Sequence, residues 1–536
     1  MTSRILPSRI SVTNFLRGAK PSLPELSVTA GSALLTVLTF PNFDLWFLAW
    51  ISLSPLLAMI ARAPSRMRAA VIGWVWGVIF FYGSCWWLTY PMIHYGGISP
   101  WLAYPLLVFP VMLAALFPAL FAALLRQIIQ RFGLASILIA PLLWVLVEWL
   151  RYMITGMLWN ALGYSQAFHP RLIQTASWGG VYAVSFLIVG VNTSLTLILI
   201  RRFIAGTILL ICVILFAVAP LTRSPKELGR ARTHLEPPNP LVIAIQPNVP
   251  MNLNGDQKQM DALVQRHLSL STETIDRYTE NQTLPYVSSL PRIVIWPESP
   301  MNFSYARDPK LKQALADFTR TNRASLLLNS LEPAVGGGDQ NSAILVNEKG
   351  EMSARYDKIR LMPFGEYVPL PQWLPGASSV RGLVGEFKPG SSYTLMPLGA
   401  LRAGVFICIE AAHPGIARTF THEGAEVLIN ISNDGYLGPT PVMRQHLSNA
   451  VFRAVENNRD LLRVTNTGIT AYISSKGDVR EPTGGFQEAT RTWQVTRDNH
   501  EVTFYTLHGD LFAYACSLIA LGVFGASFKK TRLRQQ

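Results

Sequence analysis

Charged residues are scarce in this sequence, and their scarcity argues against an ordinary soluble enzyme. They make up 15% of the 536 residues, whereas half of the residues are hydrophobic. The net charge of +14 could indicate a nucleic-acid-binding protein. The distribution of the charges argues against this, because residues 221–507 hold 29 basic and 28 acidic residues. The excess of basic residues lies outside that stretch, beside apolar runs, as in membrane proteins.

Long apolar runs take up most of the sequence outside residues 221–507. A helix needs ~20 predominantly apolar residues to cross a bilayer. Further runs follow the first one at once, and no small-x-small cleavage site stands out, so we interpret the first run as a span and not as a signal peptide. We predict an α-helical membrane bundle of eight transmembrane helices, at about 26–42, 44–61, 69–89, 101–125, 133–153, 177–200, 203–220 and 510–528.

The basic residues between these runs predict their orientation. Of the 17 basic residues outside 221–507, 15 fall on one side if the N-terminus is cytoplasmic, and Arg151 and Arg171 are the exceptions. Both termini are then cytoplasmic, and residues 221–507 lie outside, in the periplasm of a bacterium with two membranes. The predicted domains are a seven-helix transmembrane domain (1–220), an exported domain (221–507), and a C-terminal transmembrane helix with a cytoplasmic tail (508–536).

Cysteines are also few, and their positions exclude a disulfide framework in the exported domain. Cys85, Cys212 and Cys516 lie within predicted spans, so that Cys408 has no partner in the exported stretch. A lone exported thiol is either buried and inert or reactive. The cysteine count leaves both possibilities open.

Residues 221–507 begin with a predicted linker, 221–240, and continue as an α/β domain. Short β-branched runs alternate with helical patterns, which is typical of a sheet covered by helices. Gly336-Gly337-Gly338 lacks the following Lys-Ser/Thr of a phosphate-binding loop. The predicted helices are 256–278, 309–320 and 441–457, and the predicted strands are 241–245, 292–296, 325–328, 343–346, 401–407, 427–431, 461–464 and 502–505.

Three segments of this domain carry candidate catalytic residues. Glu298 ends an apolar strand, Lys358 and Glu366 flank a turn, and Cys408 lies between a strand and a short helix. We expect the thiol to be exposed at this turn, with its thiolate favoured by the helix N-terminus. Taken singly, each residue also has an ordinary interpretation: a surface or capping carboxylate, a solvated lysine, and a small core cysteine.

In their order and flanking residues, these segments resemble the carbon–nitrogen hydrolase (nitrilase) superfamily, whose catalytic set is Glu, Lys and Cys. From about residue 26 to 528 the chain resembles the membrane-embedded family of that superfamily, the apolipoprotein N-acyltransferases. Further matching segments are Ala161–Gln166, Gly179–Tyr182, Asn341–Ala343, Asn430–Gly435, Asn466–Ile469 and Tyr505–Asp510. The resemblance implies that the exported domain is an α-β-β-α sandwich.

The resemblance also implies a reaction and a set of roles. An acyl chain would pass from a phospholipid, through a thioester on Cys408, to the α-amine of the N-terminal diacylglyceryl-cysteine of an apolipoprotein, the last step of bacterial lipoprotein maturation. Glu298 would be the base and Lys358 would stabilise the oxyanion, with Glu366 orienting the lysine or the amine. These roles fit ping-pong transfer.

Two further residues match the family as substrate-binding or supporting residues. Glu410 has either such a role or a structural salt bridge, and Tyr436 belongs to a pair, Gly435-Tyr436, where the family usually has two aromatics. The sequence also departs from the family pattern at Ile409 and Gly255. We expect these departures to affect the binding of lipid tails and not the chemistry.

No cofactor and no metal is expected, because His413 and His422 lack the spacing of metal ligands. The expected partners are a phospholipid donor, a diacylated apolipoprotein acceptor and membrane lipid, with no nucleic acid. Glu148 and Arg151, three residues apart, are predicted to form a local ion pair, with a role near a lipid headgroup as the alternative. Two rival functions remain: a membrane-tethered amidase or nitrile hydrolase, and an inactive transporter or scaffold.

Overall fold

The computed structural model describes residues 20–222, 239–251, 257–280, 290–368, 387–496 and 501–528. Most of the predicted linker, Gly255, and the basic residues before Lys20 and after Phe528 lie outside these ranges. The described residues form two compact units. The first unit holds residues up to Ser165, Tyr182–Ala219 and Leu511 onward, and the second holds Gln166–Val181 and Pro220–Asp510.

The first unit is helical and apolar. Four of its helices are long and apolar enough to cross a membrane: α3 (Arg66–His94), α4 (Pro100–Phe132), α5 (Leu134–Thr155) and α6 (Ala176–Leu199), which begins in the second unit. Shorter apolar helices are α1 (Leu23–Val37), α2 (Trp46–Arg62), α7 (Phe203–Val218) and α13 (Leu511–Ala526). An apolar helical bundle is therefore present, and the number of spans stays a prediction.

Helices α3 and α4 approach closely because α3 presents glycine at their contact. A Cβ atom on Gly73 would lie 2.3 Å from the carbonyl oxygen of Pro118, and one on Gly77 would lie 2.9 Å from Cα of Ala115. Small residues at such contacts let helix backbones pack against each other in an apolar environment.

The predicted ion pair between Glu148 and Arg151 is absent from the described residues, although both side chains are buried on α5. Glu148 Oε1 instead accepts hydrogen bonds from Trp144 Nε1 and from the backbone N–H of Leu162, each at 2.9 Å. Arg151 Nη1 donates to the carbonyl oxygen of Trp159 at 2.7 Å. Both side chains thus hold the segment that follows α5.

The second unit contains two six-stranded sheets with related orders. The first sheet has the order β12-β1-β2-β3-β4-β5, and the second has the order β11-β10-β9-β8-β7-β6. Parallel strands lie inside each sheet, β1-β2-β3 and β7-β8-β9, and antiparallel strands flank them. The strands are β1 (Leu241–Gln246), β2 (Arg292–Ile295), β3 (Ala324–Pro333), β4 (Asp339–Val346), β5 (Met352–Asp357), β6 (Leu395–Leu398), β7 (Leu401–Ile407), β8 (Val427–Ser432), β9 (Leu461–Thr465), β10 (Ala471–Ile473), β11 (Val479–Arg480) and β12 (Ala489–Gln494).

Helices cover the outer faces of the two sheets. Helices α8 (Gln257–Glu280) and α9 (Pro309–Asn322) pack on the first sheet, and α10 (Pro414–His422) and α11 (Val442–Asn457) pack on the second. The sheets contact each other through β1 with β9 and β4 with β7. The predicted α-β-β-α sandwich is therefore confirmed.

The predicted strand at 502–505 is wrong, because this segment starts the short helix α12 (Phe504–His508). Its β-branched residues favour a strand by propensity. However, the Thr503 side chain accepts a hydrogen bond from the backbone N–H of Thr506 at 2.9 Å, which is a helix N-cap. The local cap overrides the propensity.

Candidate active site

Glu298 lies just beyond the end of β2, where Pro297 interrupts the strand. Its Oε1 accepts hydrogen bonds from Asn341 Nδ2 at 2.9 Å and from Lys358 Nζ at 3.4 Å. Its Oε2 accepts from the backbone N–H of Asn433 at 3.1 Å. Both oxygens are held, and the side chain keeps 14% exposure, so the carboxylate is fixed in place and still reachable.

Lys358 follows β5, and two carboxylates enclose its ammonium group. Nζ donates to Glu366 Oε1 at 2.9 Å as well as to Glu298, and the side chain is 1% exposed. Burial alone would lower the pKa of Lys358, but the charges of Glu298 and Glu366 outweigh it and hold the pKa above its ordinary value. The lysine is therefore positively charged at neutral pH.

Asn341, on β4, joins the two carboxylates. Its Nδ2 donates to Glu298 Oε1 at 2.9 Å and to Glu366 Oε1 at 2.6 Å, while its Oδ1 accepts from Asn329 Nδ2 at 2.6 Å. The sequence analysis quoted Asn341 within a motif but gave it no role in the site. An amide at a buried strand position is the signal that could have found it.

Cys408 occupies the turn between β7 and α10, as the sequence predicts. It begins a one-turn helix, Cys408–Ala412, and its φ is +51°. Non-glycine residues rarely adopt a positive φ, and this strain persists only where the surroundings hold it. One such constraint is visible: the Cys408 carbonyl oxygen accepts a hydrogen bond from His446 Nε2 at 3.0 Å.

The expectation of an exposed thiol with a favoured thiolate is wrong. Cys408 is half-buried. Burial raises the pKa of the Cys408 thiol, the negative charge of Glu298 raises it further, and Lys358 only partly opposes these effects. The resting group is therefore a thiol that needs a base, and Glu298, Lys358 and Glu366 are close enough for their charges to act on it.

Glu410 is fully buried and accepts hydrogen bonds from neutral groups. Its Oε1 accepts from the backbone N–H of Ile359 at 2.8 Å, from that of Arg360 at 3.0 Å, and from the Tyr356 hydroxyl at 2.8 Å. Its Oε2 accepts from the backbone N–H of Ile407 at 2.8 Å. Within the described residues no salt bridge forms at Glu410, so the salt-bridge alternative is wrong. The carboxylate instead ties the end of β7 to the chain after Lys358.

Tyr436 lies in a one-turn helix, Gly435–Leu437, after β8. The side chain is half-buried, and burial raises the pKa of its phenol, so the hydroxyl is neutral at neutral pH. A supporting role for Tyr436 stays a prediction. Asn433, which holds Glu298, and His446, which holds Cys408, have no role in the sequence analysis, because both depend on contacts between distant segments.

Family models match both parts of the chain. The family model described as Apolipoprotein N-acyltransferase N-terminal domain matches residues 32–194, and the model described as Carbon-nitrogen hydrolase matches residues 259–503. The amidase from Nesterenkonia sp., a solved structure, aligns with 52% of this chain and 97% of its own at 16% identity and a TM-score of 0.37.

Two curated relatives carry the same name. The apolipoprotein N-acyltransferase of Geobacter metallireducens is 33% identical over 94% of this chain and 95% of its own length. That of Pasteurella multocida is 27% identical over 96% of this chain and 98% of its own. With both family models matched in order along one chain, this chain belongs to the apolipoprotein N-acyltransferase family.

Proposed function

We propose that this chain moves one acyl chain from a phospholipid to the free α-amine of the diacylglyceryl-cysteine that begins an apolipoprotein, through a thioester on Cys408. The observation that carries the proposal is the hydrogen-bonded cluster of Glu298, Lys358 and Glu366 beside a cysteine held at a positive φ. In the first step the Cys408 sulfur attacks the ester carbonyl and Glu298 takes the thiol proton.

The first step ends when the tetrahedral intermediate expels the lysophospholipid. Lys358 stabilises the negative charge on the carbonyl oxygen, and Glu298 returns its proton to the leaving oxygen. In the second step the acceptor amine attacks the thioester and gives a proton to Glu298. The carbon–sulfur bond then breaks, and the thiolate takes that proton back. Glu366 and Asn341 keep Lys358 and Glu298 in place, and Glu410 positions the chain beside Lys358.

The membrane arrangement belongs to the same proposal. We infer eight transmembrane helices in the inner membrane, with both termini in the cytoplasm and the catalytic domain in the periplasm. The one-sided distribution of basic residues supports this orientation. Two lipid substrates explain why a sandwich of this kind is joined to an apolar helical bundle. Phosphatidylethanolamine, donating its sn-1 chain, is the proposed donor.

Transfer between defined lipids tests the proposal. The purified protein is placed in vesicles of phosphatidylethanolamine with an isotope-labelled sn-1 chain, together with a diacylated lipopeptide that has a free N-terminal amine. We expect labelled triacylated peptide and an equal amount of lysophospholipid, and no product from the same peptide with an acetylated N-terminus. Release of ammonia from small amides, with no lipid product, would instead favour the amidase.

A further inference from the structure

His446, on α11, holds the backbone of Cys408 through its carbonyl oxygen. Its Nε2 lies 3.0 Å from the Cys408 carbonyl oxygen, which only accepts, so Nε2 is the donor in this hydrogen bond. The ring is 3% exposed. A second, longer contact reaches the same carbonyl oxygen from Asn430 Nδ2 at 3.5 Å.

Asp434 and Arg463 fix the orientation of His446. Asp434 Oδ1 lies 2.8 Å from His446 Nδ1, and Arg463 Nη2 donates to Asp434 Oδ2 at 3.0 Å. Burial would raise the pKa of Asp434, but Arg463 and His446 outweigh it and lower the pKa to about 2, so that this carboxylate stays charged. All three side chains are buried. Such a network keeps the His446 ring in one orientation. Carboxylates orient catalytic and metal-bound histidines in the same way.

The planarity of the peptide bond carries this constraint to the reaction centre. The carbonyl group of Cys408 and the N–H of Ile409 belong to one peptide plane and point in opposite directions. Holding the carbonyl oxygen against His446 therefore fixes the direction of the Ile409 N–H. Ile409 is the second residue of the one-turn helix, where an N–H has no acceptor within the helix.

We propose that His446, oriented by Asp434, is a positioning residue that aims the Ile409 N–H at the oxyanion formed when Cys408 attacks an acyl group. The proposal rests on the acyl transfer proposed above. The bond between sulfur and the acyl carbon forms, the carbonyl π electrons move onto oxygen, and the charge is shared by Lys358 and this N–H. Asn433, beside Asp434, holds Glu298, so one turn after β8 positions both the base and the nucleophile.

Two substitutions of His446 separate this role from general support. The amide nitrogen of His446→Gln reaches as far as Nε2 and can still donate to the Cys408 carbonyl oxygen. The amide of His446→Asn reaches only to the position of Nδ1, so it keeps polarity near Asp434 but loses the Cys408 bond. Ser448→Ala is the matched control, because it removes a hydrogen bond of the same helix, from Ser448 Oγ to the Arg444 carbonyl oxygen.

Two rates are measured on folded protein, as judged by thermal unfolding. One is thioester formation from phosphatidylethanolamine vesicles without acceptor, which passes through an oxyanion. The other is alkylation of Cys408 by iodoacetamide at one fixed pH, which displaces iodide and forms no oxyanion. We expect His446→Asn to slow thioester formation about 10- to 100-fold, less than a fully removed oxyanion donor because Asn430 remains. Alkylation should be unchanged, and His446→Gln and Ser448→Ala should be near normal in both.

Equal thioester formation by the Asn and Gln variants would overturn the proposal. A parallel loss of alkylation and thioester formation in the Asn variant would also overturn it, because it would indicate a collapsed site. If His446→Asn does not fold, His446→Ala is compared with His446→Gln in the same way. Absence of any thioester in the unsubstituted protein would instead overturn the proposed function, so the two failures are distinguishable.

Discussion

At the scale of single residues, the site depends on one buried positive charge between two carboxylates. Lys358 is enclosed by Glu298 and Glu366, and Asn341 bridges the same two carboxylate oxygens. Removing the cation leaves the buried Glu366 and the partly buried Glu298 without their counter-charge, which is more costly than losing an exposed pair. Lys358 therefore keeps the two carboxylates in place and also supplies the positive charge of the site.

Substitution of Lys358 by alanine should reduce acyl transfer strongly. The loss of one stabiliser of an oxyanion typically lowers kcat about 10²- to 10³-fold. The rate of the single-turnover transfer from phospholipid measures this effect, with Lys349→Ala, an exposed lysine of the same domain, as the control. Near-normal turnover by Lys358→Ala would contradict the role assigned to this lysine.

Glu456 gives the second prediction at this scale. The side chain is fully buried on α11, and its Oε1 accepts hydrogen bonds from Arg453 Nη2 at 2.7 Å and from the backbone N–H of Val181 at 3.1 Å. Burial raises its pKa from 4.5 to about 7, against the opposing charge of Arg453. Because the folded state binds this proton more tightly, its contribution to stability is present below about pH 4.5 and is lost as the pH rises to about 7.

Thermal unfolding from pH 4.5 to 8 measures this contribution. The stability of the unsubstituted protein relative to Glu456→Gln should fall between about pH 4.5 and 7 and then level off. The difference between the two proteins isolates Glu456, since other buried acids titrate in both. Parallel curves for the two proteins would contradict the raised pKa.

The residues of the site differ in how far the sequence could predict them. Glu298 and Cys408 follow apolar strands, and Lys358 and Glu366 surround a turn, so local patterns and family resemblance point to all four. Asn433 and His446 act through hydrogen bonds to residues 135 and 38 positions away. Nothing local marks such residues, because only the pairing of β8 with β7 and β9 brings them to the site.

At the scale of elements, the interruption of α6 has a clear physical basis. Gly179 and Gly180 have non-helical backbone angles, and Gly180 has a φ of +62°. A Cβ atom on Gly180 would lie 2.8 Å from the Tyr505 ring. A side chain is therefore opposed by both the backbone conformation and the neighbouring aromatic.

Replacement of Gly180 by alanine should destabilise the second unit. We expect a loss of more than ~1 kcal/mol, because alanine is strained at this φ and also meets Tyr505. Gly415→Ala is the matched control, since its added Cβ has no neighbour within 4 Å and the residue lies in α10. The two variants are compared by thermal unfolding. Equal stability of the two would contradict this explanation of the break in α6.

The sequence predicts elements well where apolar runs are long. Strands β1, β2, β7, β8 and β9 coincide with predicted β-branched runs, because they are buried inside a sheet. The antiparallel strands β5, β6, β10, β11 and β12 were not predicted, and β6 even contains Pro397. Edge strands are specified by their neighbours as much as by their own residues.

At the scale of the whole molecule, the chain combines an apolar helical bundle with a carbon–nitrogen hydrolase domain. The sequence analysis ended the bundle at residue 220 and gave the second domain no part of the preceding chain. The second unit also contains Gln166–Val181, which the sequence analysis included in the transmembrane domain, because 166–176 lie between two predicted spans and 177–181 begin the next. Their polar contacts, such as Gln174 Nε2 donating to the Lys476 carbonyl oxygen at 3.0 Å, appear only in the fold.

Reporter fusions test the proposed topology. A reporter fused after Ser224 or within residues 330–340 should read as periplasmic, and one fused at Gln536 should read as cytoplasmic. The reason is the one-sided distribution of basic residues. A cytoplasmic signal from the domain fusions would exclude the eight-span arrangement with an exported domain.

The covalent intermediate on Cys408 tests the central claim most directly. Donor and acceptor use the same nucleophile in turn, so the enzyme given phospholipid without acceptor should stop with one fatty acyl group on Cys408. Intact mass spectrometry should show this adduct, and neutral hydroxylamine should remove it because it cleaves thioesters. Cys85→Ala, Cys212→Ala and Cys516→Ala should still form the adduct, Cys408→Ala should not, and a diacylated lipopeptide with a free amine should discharge it. An adduct on another residue, or triacylated product from Cys408→Ala, would contradict the account.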